Sequence, residues 1–192
     1  MGRFEDAHSL ADIFRAEARA QPQATAQIFR DRVTTYGALD RRASQVANGL
    51  IALGARPGAR IGYLGKNSDL YFELLLGALK ANAVLVPVNW RLAPPEAAAI
   101  LADAGVDTLF VGPGYAPMTE AIARAGHATR DRVSMEGADP DWPDFAVWRD
   151  AQPDADPMLP AAREDTAIQL DTSGTTGLPK GVELTNGNFL RS

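Results

Sequence analysis

The chain contains no cysteine. Disulfide staples and thiol catalysis are thereby excluded, and the sequence fits a reducing compartment such as the cytoplasm. Histidine is nearly as scarce, with His8 and His127 far apart in the chain. Neither has an acidic partner at ligand spacing, so each reads as a surface or capping residue rather than a catalyst or metal ligand. Positive charge is outweighed: 19 Lys and Arg against 24 Asp and Glu leave a net charge of −5. That balance argues against a nucleic-acid binder, which needs a basic face. Long apolar runs are missing too. The longest, about 70–88, is broken by Glu73, Lys80 and Asn82, whereas a membrane span needs roughly 20 nearly uncharged residues. The opening residues, Met1 to Asp6, carry acids and no apolar stretch, so a soluble protein without a signal peptide or transmembrane segment is expected.

What is present is enough for a core: 192 residues, of which 46% are hydrophobic. Leu10, Ile13, Phe14 and Ala18 recur at helical spacing after Ser9, a natural N-cap, and Pro22 stops that helix. Apolar runs at 26–29 and 33–35 flank Arg30-Asp31-Arg32 and read as a hairpin. Helices are expected over about 36–53 and 69–81 and after Pro94-Pro95, with strands at 60–64, 84–87, 108–111 and 167–170. Val182-Glu183-Leu184-Thr185 alternates like a further strand, with Asn186 capping a helix that starts near Asn188. Strands alternating with helices of this length imply an α/β fold, a parallel sheet layered with helices on its faces. The segment 137–164, crowded with proline and aspartate, reads as a long surface connection. Within it Asp139, Asp141 and Asp144 are taken as solvated loop acids rather than a metal site, and Arg41-Arg42 as a solvated helix face. Trp90, Trp142 and Trp148 are read as core or loop-covering residues, with Trp90 a candidate for the sheet's ligand-facing edge.

The most informative stretch is Thr172-Ser173-Gly174-Thr175-Thr176-Gly177-Leu178-Pro179-Lys180-Gly181. Gly174 and Gly177 let backbone amides approach a ligand, Thr172, Ser173, Thr175 and Thr176 offer hydroxyl donors, and Lys180 sets a positive charge against phosphate oxygens. An apolar strand, 167–170, delivers this loop to the edge of a sheet. It is not a Walker A loop, because neither glycine is followed at the required spacing by a Gly-Lys pair.

In its full order the stretch resembles the phosphate loop of the adenylate-forming (AMP-binding) superfamily, which includes acyl-CoA synthetases, luciferases and peptide-synthetase adenylation domains. Residues 172–181 match the family pattern at every fixed position. Upstream, 77–89 is similar to the family's segment running from leucine-lysine-alanine to valine-proline-valine-asparagine, with Asn82 where glycine is usual. Thr35-Tyr36-Gly37-Ala38-Leu39 is similar to a third family segment, with Ala38 in place of glutamate. The resemblance implies ATP-dependent activation of a carboxylic acid to an acyl-adenylate, then capture by the thiol of CoA, with Mg²⁺ sharing the phosphate charge. It implies that Thr172, Ser173, Gly174, Thr175, Thr176, Gly177 and Lys180 bind the nucleotide phosphates. The run 88–96 is similar to fatty-acyl-CoA synthetases, so a fatty acid is the expected substrate. An aryl- or amino-acid-adenylating enzyme and a non-catalytic nucleotide-binding remnant remain as alternatives. The family's ribose-binding, hinge and catalytic-lysine segments would follow Ser192, so the chain is expected to be the N-terminal portion of the adenylation domain, its C-terminal domain absent, and inactive alone.

Overall fold

The structure, a computed structural model, describes residues 6–172 and 180–190, with Thr172 and Lys180 described by their backbone. Helix α1 (Leu10–Ala20) is opened by a capping box in which Ser9 accepts from the Asp12 amide and the Asp12 carboxylate accepts from the Ser9 amide. A small antiparallel hairpin follows, β1 (Thr25–Phe29) and β2 (Arg32–Thr35). Then come α2 (Tyr36–Ala52), β3 (Arg60–Leu64), α3 (Asp69–Lys80), β4 (Val84–Val88), α4 (Pro94–Ala104) and β5 (Thr108–Val111). The remainder is α5 (Ala116–Arg124), β6 (Asp131–Ser134), α6 (Phe145–Asp150), β7 (Thr166–Thr172), β8 (Lys180–Thr185) and α7 (Asn186–Leu190). Thr35 caps α2 by accepting from the Ala38 amide at 3.3 Å, a bond that makes no demand on residue 38's side chain.

The main sheet has six strands in the order β6-β5-β3-β4-β7-β8. All pair in parallel except β8, which runs antiparallel to β7 at the edge. The α/β expectation and its parallel sheet are therefore correct. Alternation along the central strands sorts side chains to two faces. Ile61, Tyr63, Leu85 and Phe110 join Leu50, Leu74 and Phe145 from α2, α3 and α6 in one core. Leu64, Val86, Leu109 and Val111 join Leu101 and Ile122 from α4 and α5 in the other. On the first face α2 and α3 pack closely because α3 carries Gly77 at the crossing. A Cβ there would lie 2.3 Å from Val46 Cγ1, inside any real contact.

The first face also buries charge. Lys80, 1% exposed, lies 2.6 Å from Asp40 Oδ1, 2.8 Å from Asp156 Oδ2 and 2.9 Å from Ser44 Oγ. Asp156 in turn accepts from Arg15 Nε and Nη2 at 2.8 and 2.9 Å. Burial opposes its ionisation, but these bonds from Arg15 and Lys80 hold the carboxyl well below the usual carboxylate range. Glu73, fully buried, is gripped by Arg149 and by Arg42 at 3.0 Å. Its carboxyl is nonetheless pushed up, because burial outweighs the two guanidinium charges.

Two readings from the sequence are corrected here. Segment 137–164 is not merely a surface connection. It contains α6, whose Phe145 is fully buried and whose Trp148 packs on Phe110 at 5.4 Å between ring centroids, and it carries the buried Arg149 and the pinned Asp156. Proline and aspartate describe its composition, but a few spaced anchors decide its packing. Arg41 is exposed as read, but Arg42, only partly exposed, also turns its guanidinium to the buried Glu73.

Candidate functional site

The connections place a crevice at the carboxyl ends of the strands. From β3 the chain passes through α3 on one face to reach β4; from β4 and β5 it passes through α4 and α5 on the other. Neighbouring strands whose exits diverge to opposite faces open a gap beyond their carboxyl ends, the usual ligand position of such sheets. β7 is parallel to β4, with Leu85 opposite Ile168, so it delivers residues 171–172 to that same edge. β8 returns antiparallel, and the ladder closes with Thr172 opposite Lys180. Residues 172 and 180 of the candidate phosphate-binding set are thus the two ends of one hairpin connection. Ser173, Gly174, Thr175, Thr176 and Gly177 lie outside the described residues, as do the side chains of Thr172 and Lys180.

The hairpin explains a further position of the motif. Gly181 faces the buried Gln169, whose Nε2 would lie 2.4 Å from any Cβ at 181. A side chain there would force the Gln169 amide to move from its place beside Arg60. Gln169 accepts from Arg60 Nε at 3.3 Å, and Arg60 also pairs with Glu183, which fastens the hairpin across β4 to β3.

Sequence reasoning missed Asp171, the residue directly before the loop. Burial pushes its carboxyl up, and the negative charge of Asp103 adds to that. Its Oδ2 is buried without a hydrogen-bond partner among the described residues. An acid at the end of an apolar run was the only available signal. The partners of Trp90, a cluster of Arg91, Lys66 and Tyr115 beyond β3, β4 and β5, were also missed. Trp90 lies with Arg91 Cζ 4.2 Å and Lys66 Nζ 5.0 Å from its ring centroid, and Tyr115 6.0 Å away. This agrees with the reading of Trp90 as a residue of the ligand-facing edge.

The other candidates are placed elsewhere. His127 donates from Nε2 to the Val106 carbonyl at 2.8 Å, and His8 is exposed beside the α1 cap. Asp144 caps α6 by accepting from the Ala146 and Val147 amides, and Asp139 accepts from the Asp141 amide. Trp142 covers the second core with Arg132 at 5.4 Å, and Trp148 fills the notch over Gly49. Among the described residues no helix is long and apolar enough to cross a membrane.

The parallel sheet wound by helices on both faces, with β7 and β8 closing at its carboxyl edge, is a doubly wound α/β architecture, a class that takes its ligands at that edge. Residues 14–192 match the family model of the AMP-binding enzymes, and the chain belongs to that family. It is 40% identical over 173 residues to a fatty acid–[acyl-carrier-protein] ligase of Streptomyces coeruleorubidus, a match covering 90% of this chain and 32% of that protein. It is also 40% identical over 172 residues to a feruloyl-CoA synthase of Amycolatopsis, covering 90% and 32%. Among solved structures it superposes on an anthranilate CoA ligase in complex with anthranoyl-AMP with a TM-score of 0.88 at 29% identity, covering 97% of this chain and 36% of that one. The chain therefore spans about a third of the length of the relatives it matches.

Proposed function

We propose that the chain supplies the ATP-phosphate-binding part of a fatty-acyl-CoA synthetase, with Thr172, Ser173, Gly174, Thr175, Thr176, Gly177 and Lys180 holding the nucleotide's phosphates. The supporting observation is the closure of β7 against β8 at Thr172 and Lys180, on the carboxyl edge of the parallel sheet. A carboxylate is a poor acyl donor, because it is negatively charged and would have to expel oxide. Its attack on the α-phosphorus of ATP forms a mixed anhydride and releases pyrophosphate; the thiol of CoA then displaces AMP. The loop's work is in the first step. Backbone amides at Gly174 and Gly177, the loop hydroxyls and the Lys180 ammonium hold the β- and γ-phosphates in line and neutralise the charge that gathers on departing pyrophosphate. Mg²⁺ supplied with the nucleotide would add positive charge against the same phosphates. The donor set suits a polyanion, since hydroxyls, amides and one ammonium all donate. Asp171 is the exception: burial and the negative charge of Asp103 push its carboxyl up from the ordinary value.

A second reading, an aryl-acid ligase, is favoured by the likeness to the feruloyl-CoA synthase and to the anthranilate ligase. Two experiments test these readings. Calorimetric titration with Mg·ATP is expected to show weak binding that pyrophosphate displaces and adenosine does not. Lys180→Ala should weaken it by about 1.5–3 kcal/mol, the worth of a charge-assisted hydrogen bond; unchanged affinity removes Lys180 from the site. Acid-dependent ATP–pyrophosphate exchange over a panel of acids, measured on a protein of the relatives' full length that carries this chain, then assigns the class. Exchange with fatty acids supports the synthetase reading, and exchange confined to cinnamic or benzoic acids transfers the assignment to the aryl-acid ligases. From the 192 residues alone we expect no exchange above a Lys180→Ala control, since they offer the phosphate end of the nucleotide and little else.

A further inference from the structure

Asn82 stands in the turn between α3 and β4, at the opposite end of the sheet from the candidate loop. Its backbone is left-handed, with φ +50, a conformation asparagine tolerates better than any residue except glycine. The backbone alone would accept glycine, the residue usual there in the resembling segment. Asparagine adds a side-chain amide, and that amide is occupied. Nδ2 donates to the Pro160 carbonyl at 3.1 Å and to Asp165 Oδ2 at 3.0 Å. Asp165 immediately precedes β7, and the same Oδ2 accepts from the Ala162 amide at 2.8 Å.

Around Asp165 the base of the β7–β8 hairpin is tied down. The Asn186 amide, at the end of β8, donates to the Asp165 carbonyl at 2.9 Å. The Asn186 side chain, itself buried, donates to the Ala162 carbonyl at 3.0 Å and accepts from the Leu10 amide at 3.2 Å. Thr166 pairs with Thr185 one step further along. Two strands leave this knot together and reach Thr172 and Lys180 at the other end. Their hold on the rest of the sheet is a short ladder, in which Leu85 of β4 faces Ile168, together with the contacts of Arg60 to Gln169 and Glu183. The base is therefore one of the places where the hairpin is fastened to the rest of the fold.

We infer that Asn82 is a positioning residue for the two described ends of the β7–β8 hairpin, Thr172 and Lys180. Its amide ties the start of β7 to the α3–β4 turn and so helps set where Thr172 and Lys180 arrive at the sheet's carboxyl edge. The inference rests on the reading of the loop at 172–181 as the phosphate site, but its structural half can be measured without any nucleotide. Three variants of the full chain separate this role from general stability. Asn82→Gly removes the amide and keeps the backbone conformation. Asn82→Asp sets a carboxylate against Asp165 and the Pro160 carbonyl. Asn82→Asp combined with Asp165→Asn exchanges donor and acceptor.

Amide hydrogen exchange is expected to speed up about tenfold at 166–172 and 180–185 in Asn82→Gly, as one charge-assisted bond is lost, with β3 and β5 unchanged. Asn82→Asp should exceed that, and the double variant should return part of the protection. Mg·ATP affinity is expected to fall several-fold in both single variants. Unchanged exchange in the hairpin, or acceleration spread evenly over β3, β4 and β5, overturns the positioning role. A Lys180→Ala chain that binds Mg·ATP as the wild type does sinks the phosphate reading instead, and the exchange pattern still decides whether Asn82 sets the hairpin.

Discussion

The two faces of the sheet are built on different principles. The face covered by α4 and α5 is closed by aliphatic packing, with Leu64, Val86, Leu101, Leu109 and Ile122 all buried. The face covered by α1, α2, α3 and α6 has an apolar core of similar depth, but buries Arg15, Glu73, Lys80 and Arg149 beside it. Apolar contacts are non-directional and specify little beyond volume. Ion pairs with fixed geometry specify which segments meet, and this is the face on which the 137–164 segment must dock across three helices before turning into β7. Directional contacts gather where the chain has a long, irregular path to fix.

The contrast can be broken by removing one anchor from each face. Glu73→Ala should have the largest effect. It takes from the buried Arg149 one of its two carboxylate partners, leaving Asp150 at 2.8 Å, at a cost of up to about 3–5 kcal/mol, and α6 should loosen first. Denaturant unfolding measures the loss, and quenching of Trp148 fluorescence locates it. On the other face Leu101→Ala should cost about 3 kcal/mol through its cavity, with no effect on Trp148. Equal loosening of α6 by both variants would erase the distinction.

Acid sharpens it. Asp156 has a carboxyl held below its ordinary value of 3.8, so its contribution is complete above that pH and is lost as pH falls through the depressed value. Asp156→Asn should therefore be less stable than wild type at neutral pH. The gap should narrow once the pH drops below about 4, where the unfolded carboxyl takes up its proton. The Leu101→Ala deficit should stay constant across the same range; a parallel narrowing in both would assign the pH dependence to something other than the Asp156 pairs. The smallest effect is local. Ser9→Ala removes one half of the α1 capping box and should cost about 1 kcal/mol.

Much of this was legible in the sequence, for reasons that also explain what was not. Elements with strong periodicity and punctuation, such as α2 and β3, appear nearly where 36–53 and 60–64 were expected, because local and tertiary preferences agree there. β6 escaped notice because Asp131-Arg132-Val133-Ser134 buries only Val133 and Ser134 at the sheet's edge. α5 is short and α6 lies in a proline- and aspartate-rich segment, and what holds α6 is Phe145 and Trp148 docking on Phe110, a contact no local pattern encodes. In the candidate site the motif itself could be read residue by residue. Its supports could not: the closeness of Gly181 to Gln169 and the reach of Asn82 to Asp165 join positions far apart in the chain.

The phosphate assignment at 172–181 is tested most directly by following backbone amide resonances of the labelled chain while Mg·ATP is added. Shifts concentrated in 172–181, with smaller ones at the ends of β3 and β4, are the predicted result, and Lys180→Ala should diminish them. Shifts centred on another part of the surface, with the hairpin tip silent at saturating nucleotide, would contradict it.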